Sequence, residues 1–263
     1  FVKANNAYLV IIGDVVYEDI KTTITTLFSK WESSTIPSKP LAKVVNAKQT
    51  EIIVVDMPNA VQSEIYITNT LSMSKANPDY FALKLANHIL GGSSTARLFM
   101  NLREDKGFTY GCYSKIVDSR YTALFSASAS VRNEVTGLSI YEMLFEINKI
   151  SDEIVTESEL DAAKEKFIGS FIMSTEKAST VARFALTIDQ FNLPEDYYEN
   201  YIQNVNAISV EDIKRVINKY ILKDNLRIII AGSAADIVPD LQEFSYPLKS
   251  VDQYVKKVKI NKY

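Results

Sequence analysis

Hydrophobic and polar positions divide this chain into short segments of clear period. Residues 5–12, NNAYLVII, make an apolar, β-branched run closed by Gly13 and Asp14, which predicts a strand and a turn. Ile20, Ile24, Leu27, Phe28 and Trp31 then recur at helical spacing. Residues 32–40, ESSTIPSKP, carry no period and read as a linker. Beyond it, EIIVVD at residues 51–56 predicts a buried strand, and Met57-Pro58-Asn59 a turn. Residues 64–71 alternate, with Ile65, Ile67 and Leu71 opposite Tyr66, Thr68 and Thr70, the mark of a half-buried strand.

The middle of the chain changes period. A helix is expected from Pro78 to about Leu90, with Phe81, Leu85 and either His88 or Ile89 facing inward. Gly91 and Gly92 stop it, Ser93 or Ser94 caps a second helix with Leu98, Phe99 and Leu102 inward, and Gly107 ends that one. Two strands follow, residues 108–116 and 121–131, joined by a tight VDSR turn. From 134 to 222 the pattern is helical, with a capping box at Thr156 and Glu159 and further starts near Glu176, Pro194 and Ser209. NLRIIIA at residues 225–231 is a last strand, followed by Gly232 and a short helix through Leu241.

Two of these segments echo one another. NAYLVIIG at residues 6–13 and NLRIIIAG at 225–232 each precede a short helix, so the first reads as the closing strand and helix of an earlier copy of the same domain. Chance similarity of strand-Gly endings is the competing explanation. Hairpins and helix pairs without strict alternation predict an α+β fold, an antiparallel sheet with helices packed on one face.

Composition narrows the function classes. At 263 residues the chain holds a sizeable core, read as one large domain plus an appendage. A net charge of −3 supplies no basic field for nucleic acid, and no apolar run approaches the length of a membrane span. Neither a nucleic acid nor a membrane is expected as partner. The sequence opens on Phe1 without a basic, apolar leader, so it is expected to begin inside a longer precursor. One cysteine, Cys112, makes neither an internal disulfide nor a zinc–cysteine site.

The sole histidine decides the metal question. Catalytic zinc needs about three protein ligands, commonly two histidines on one helical turn, whereas His88 stands alone in LANHILGG. No metal site and no cofactor is expected in this chain. A serine or cysteine nucleophile fares no better, since there is no G-x-S-x-G elbow and Cys112 lies mid-strand. The Gly91–Ser94 turn lacks the lysine and the preceding strand of a phosphate loop. Arg103 and Tyr110 are of another kind. They flank Gly107 seven residues apart, one near a helix end and one entering a strand. There a guanidinium and a phenol can donate hydrogen bonds to a peptide carbonyl or a developing oxyanion. The plainer alternative pairs Arg103 with Glu104 or Asp105 and packs Tyr110 in the core.

The segment carrying these residues, LGGSSTARLFMNLREDKGFTYGCYS, resembles the non-metal half of the pitrilysin-type (inverzincin) zinc peptidases, the insulinase and processing-peptidase family. VDMPNAVQSEI and the strand-Gly ending near Gly232 support the resemblance, which spans about residues 45–245. It departs from the family pattern at Thr95-Ala96 and Phe108-Thr109.

The resemblance implies a half-domain of the mitochondrial processing peptidase type, facing a homologous domain that bears H-x-x-E-H and zinc. By position, Arg103 and Tyr110 match the arginine and tyrosine that reach across to grip the substrate backbone, and Gly91 and Gly92 match a substrate-contacting turn. Residues 1–36 then close a preceding domain, 37–44 link, 45–247 form the inactive peptidase domain and 248–263 a tail. The implied partners are that zinc-bearing domain, on the same polypeptide or a separate subunit, and a peptide substrate. The chain alone is expected to be inert, and to dimerise through the unpaired strand near residue 10. A bacterial periplasm or cytoplasm is the favoured compartment. The competing expectation is a structural or peptide-binding subunit with no catalytic contribution.

Overall fold

The alternation of residues 62–71 is realised as β2 (Gln62–Leu71), which buries Ser63, Ile65, Ile67, Asn69 and Leu71. Around it the computed structural model, which describes residues 2–37, 45–118, 122–254 and 257–258, assembles one seven-stranded sheet. Its strands are β1 (Glu51–Asp56), β2, β3 (Thr109–Asp118), β4 (Ala123–Arg132), β5 (Arg227–Gly232), β6 (Leu248–Val251) and β7 (Lys257–Val258). Their spatial order is β3-β4-β2-β5-β1-β6-β7. The helices are α1 (Tyr17–Phe28), α2 (Tyr80–Gly91), α3 (Arg97–Phe99), α4 (Thr136–Asp152), α5 (Glu157–Thr175), α6 (Ala178–Phe191), α7 (Tyr201–Asn206), α8 (Val210–Tyr220) and α9 (Ala234–Leu241).

The core lies between the sheet and a helical layer. Ile52, Val54, Ile65, Ile67, Ile228 and Ile230 meet Leu83 and Leu85 of α2, Ile140 and Met143 of α4, and Ile213 and Ile217 of α8, all fully buried. Each such side chain contributes about 1.5–3 kcal/mol of burial. Capping fixes where the helices start. Thr156 and Glu159 exchange side-chain and backbone hydrogen bonds at the head of α5, as their spacing predicts, and Ser209 and Asp212 do the same for α8.

One polar cluster bolts the layer together. Asp79, at the start of α2, accepts from Arg215 Nη1 at 2.6 Å, Lys219 Nζ at 2.7 Å and Tyr220 Oη at 2.8 Å, all from α8. Burial works to raise its pKa, but the hydrogen bonds from Lys219, Arg215 and Tyr220 outweigh it and hold the carboxyl at about 2.

The α+β class and its helical layer are as expected, but the sheet is mixed. β5 pairs parallel to β1, and so does β6. Parallel neighbours need a long crossover, and the helices between β4 and β5 supply it for the first pair. β6 and β7 fall in the stretch read as a tail. Residues 5–12 form no strand: Ala4–Asn6 is a short 3₁₀ turn, and no ladder of the described residues includes the six that follow. A strand needs a ladder to satisfy its amides, and among the described residues no ladder includes this segment, although Asn5 exchanges hydrogen bonds with the Ser34 backbone at 3.0 and 3.2 Å. α1 likewise buries no residue. The tight turn after Asp118 and the linker at 37–44 lie largely outside the described residues.

Candidate functional site

α2 ends against β3 at Gly91, where packing tolerates no side chain. A Cβ there would lie 2.5 Å from the Ser114 backbone nitrogen and 2.9 Å from Leu98 Cδ1. Gly91 is therefore buried, whereas Gly92 is exposed. The expected cap by Ser93 or Ser94 does not form. The position before α3 is Ala96, without a side-chain cap, and Ser93 Oγ instead lies 3.1 Å from Thr95 Oγ1. α3 runs on into a π-helical turn, Met100–Asp105, which carries Arg103.

Gly107 then reverses the chain with φ 64°, a conformation that favours glycine. The Phe108 amide donates to the Leu102 carbonyl at 2.9 Å and closes the turn. β3 enters at the outer edge of the sheet and its register against β4 shifts between Thr109 and Cys112, which places Tyr110 and Gly111 on a bulge. Thr109 pins it, its Oγ1 donating to the Ser130 carbonyl at 2.7 Å and accepting from the Gly111 amide at 3.2 Å. Bulges at sheet edges re-aim side chains. Here the side chain so placed is Tyr110, 91% exposed.

Arg103 is held from two sides. Its Nη1 donates to Glu104 Oε1 at 2.8 Å, and its guanidinium carbon sits 5.7 Å from the centre of the Phe99 ring. Phe99 in turn meets Tyr113 at 5.4 Å. The pair with Glu104 is the plain alternative considered for Arg103, but Tyr110 does not pack in the core. Both side chains stand at the surface on either side of the Gly107 turn.

Arg97 makes a contact that its sequence neighbourhood does not announce. Its Nε and Nη2 grip Glu159 at 2.7 and 3.0 Å, tying α3 to the capping box of α5, while Nη1 is buried with no hydrogen-bond partner. Burial raises the Glu159 carboxyl, but Arg97 and the Thr156 amide bring it down to about 2. No local signal marks this pair, because its members lie 62 residues apart.

The other groups weighed for chemistry are quiet. His88 is half-buried with its ring edge on Phe167, and burial together with Lys166 lowers its pKa, so it stays neutral at pH 7. Burial pushes the Cys112 thiol up to about 12, far from a reactive thiolate. Among the described residues no group of three His, Cys, Asp or Glu side chains is placed to hold a metal ion. The donors present do not fit zinc. No helix of the described residues is long and apolar enough to cross a membrane.

Comparison with known proteins places this geometry in context. A family profile described as the peptidase M16 inactive domain matches residues 1–167. The uncharacterized zinc protease YmxG of Bacillus subtilis is 26% identical over 160 residues, which cover 58% of this chain and 37% of that protein. The probable inactive metalloprotease YmfF of the same organism is 23% identical over 211 residues, 78% of this chain and 47% of its own length. This chain thus spans less than half of either relative. A crystal structure of a peptidase M16 inactive domain from Pseudomonas fluorescens superposes with a TM-score of 0.74 at 25% identity, covering 84% of this chain and 52% of that one.

Proposed function

Because the chain belongs to the peptidase M16 inactive-domain family, we propose that it is the substrate-gripping half of a peptidase whose zinc sits in a partner domain. The observation that carries this reading is Tyr110: an edge-strand bulge turns a phenol outward, 91% exposed, across the Gly107 turn from Arg103, where core packing gives no reason for the phenol. Metal chemistry belongs to the partner half, since the donors here do not fit the ion. What this chain supplies is hydrogen bonding. Arg103 donates to a carbonyl of a bound peptide and Tyr110 to the oxygen that gains charge as the scissile bond is attacked, a contribution of about 3 kcal/mol per donor in comparable oxyanion sites. Exposed Gly92 offers its backbone to the substrate at the neighbouring turn, while Gly91 lets that turn close on β3.

The same reading assigns residues 1–36 to a preceding homologous domain, with 37–44 as linker and 45–247 as the inactive domain. Support comes from the exposure of the apolar run Leu9–Ile12 and its likeness to β5.

Peptide cleavage by a metal-bearing M16 half, followed with and without this chain, tests the assignment. The wild-type chain supports cleavage, and Arg103→Ala or Tyr110→Phe lowers kcat by about a hundredfold. If the double variant Arg103→Ala/Tyr110→Phe supports cleavage as well as wild type, the roles are wrong. The existing Arg103–Glu104 pair favours a second reading, a purely structural or peptide-binding subunit, and that outcome would establish it.

A further inference from the structure

Arg103 does not aim itself. Glu104 and the Phe99 ring, which hold it, are its near neighbours in sequence, so where the guanidinium stands depends on how that stretch is seated on the domain. The stretch is the π-helical turn Met100–Asp105, one residue wider than an α-helical turn. The Lys106 amide closes it by donating to the Asn101 carbonyl at 3.0 Å.

Two devices seat this turn. One is apolar, since Leu102 is fully buried in the core. The other is polar and comes from the side chain of Asn101. Its Nδ2 donates to Glu146 Oε1 at 2.8 Å and to Glu142 Oε2 at 3.0 Å, while Lys106 Nζ lies 3.2 Å from Glu142 Oε1. Both carboxylates sit on α4, one helical turn apart, where like charges repel. The amide has two hydrogens and gives one to each.

Glu146 makes the seating strict. It is buried, and among the described residues its carboxylate accepts from Asn101. A slip of the turn by one residue would bring Met100 or Leu102 opposite that carboxylate and leave a buried charge unsatisfied, which costs far more than a hydrogen bond is worth. Nor is the pair the cheapest filling of the space. Asn101 Oδ1 is buried without a hydrogen bond, and apolar side chains at both positions would avoid that cost. What the polar pair adds is a single register.

We propose that Asn101 is a positioning residue: by bridging Glu142 and Glu146 of α4 it holds the π-helical turn in the register that presents Arg103 across the Gly107 turn from Tyr110. The inference rests on the catalytic reading of Arg103, and the geometry it asserts is measurable without a reaction.

NMR of the isotope-labelled intact chain tests it through the side-chain Nε–H signal of Arg103, identified by its loss in Arg103→Lys. Asn101→Leu should shift or broaden that signal. So should Asn101→Leu/Glu146→Leu, in which both partners become apolar and stability stays near wild type, and this double variant decides the matter if the single one does not fold. Glu146→Gln still accepts from Asn101 and should keep the wild-type signal. The signal of Arg227, held by Glu51 on the sheet, should stay in place throughout. In cleavage with a metal-bearing M16 half, kcat of the double variant should fall about tenfold. An unmoved Arg103 signal in the double variant overturns the proposal, as does a wild-type kcat there when Arg103→Ala is impaired. A wild-type rate from Arg103→Ala would instead overturn the catalytic reading, while the Arg103 signal decides for or against the hold of Asn101 on the turn.

Discussion

Two stretches of this chain are alike in sequence character and opposites in environment. IIIAG in β5 threads between β1 and β2, with Ile228 and Ile230 fully buried. LVIIG at residues 9–13 has the same character, yet Leu9 is 57% and Ile12 46% exposed. α9 after the first copy buries Ile237, Val238 and Leu241, whereas α1 after the second buries nothing. An apolar β-branched run is thus competent for a sheet interior, but a neighbour on each side makes it a strand.

The largest effect should separate the two copies directly. Ile230→Ala opens a cavity in the core and should cost about 2–5 kcal/mol, while Ile11→Ala should fall within about 0.5 kcal/mol of wild type. Urea unfolding followed by circular dichroism measures both. The only tryptophan, Trp31, follows α1, which buries nothing, so its fluorescence should miss the main transition. A comparable loss at Ile11, or a tryptophan signal that tracks the transition, would mean that the segment is packed in solution.

A smaller effect belongs to the packed body alone. The Asp79 carboxyl is lowered in the folded state, so its contribution is complete above the ordinary carboxylate pKa of 3.8 and is lost as pH falls toward 2. Asp79→Asn should therefore cost about 2 kcal/mol at pH 7 and much less near pH 2. Urea midpoints across that range check the sign. A penalty independent of pH would show that the Arg215–Lys219–Tyr220 cluster does not rely on the charge.

The least costly perturbation concerns the bare copy. In isolation its unpaired edge should pair with a second chain, giving a dimer that Val10→Pro abolishes by removing a ladder donor. Light scattering of both proteins distinguishes the outcomes, and a strictly monomeric wild type would refute edge pairing.

Much of the local structure was legible in residue order. Thr156 and Glu159 announce α5, Ser209 announces α8, and the alternation of residues 64–71 gives the buried face of β2. These signals work because caps and strand faces are set by atoms a few residues apart. The site was legible in part. Gly107 and the seven-residue spacing of Arg103 and Tyr110 mark a turn between two polar side chains, but the bulge that exposes Tyr110 arises only when β3 is registered on β4. Ser93 and Ser94 misled, since the helix starts after Ala96.

By itself the sequence determined most of the helices and the strands β1 to β5, the capping box of α5, the lack of histidines for a metal site and the family resemblance. Tertiary structure alone decided that β5, far along the chain, lies between β1 and β2, and that Arg97 meets Glu159. It also left one of two like segments bare. The physical reason is range: caps, periods and turns are fixed by neighbours in sequence, whereas strand order, long-range ion pairs and burial depend on which surfaces are present to meet.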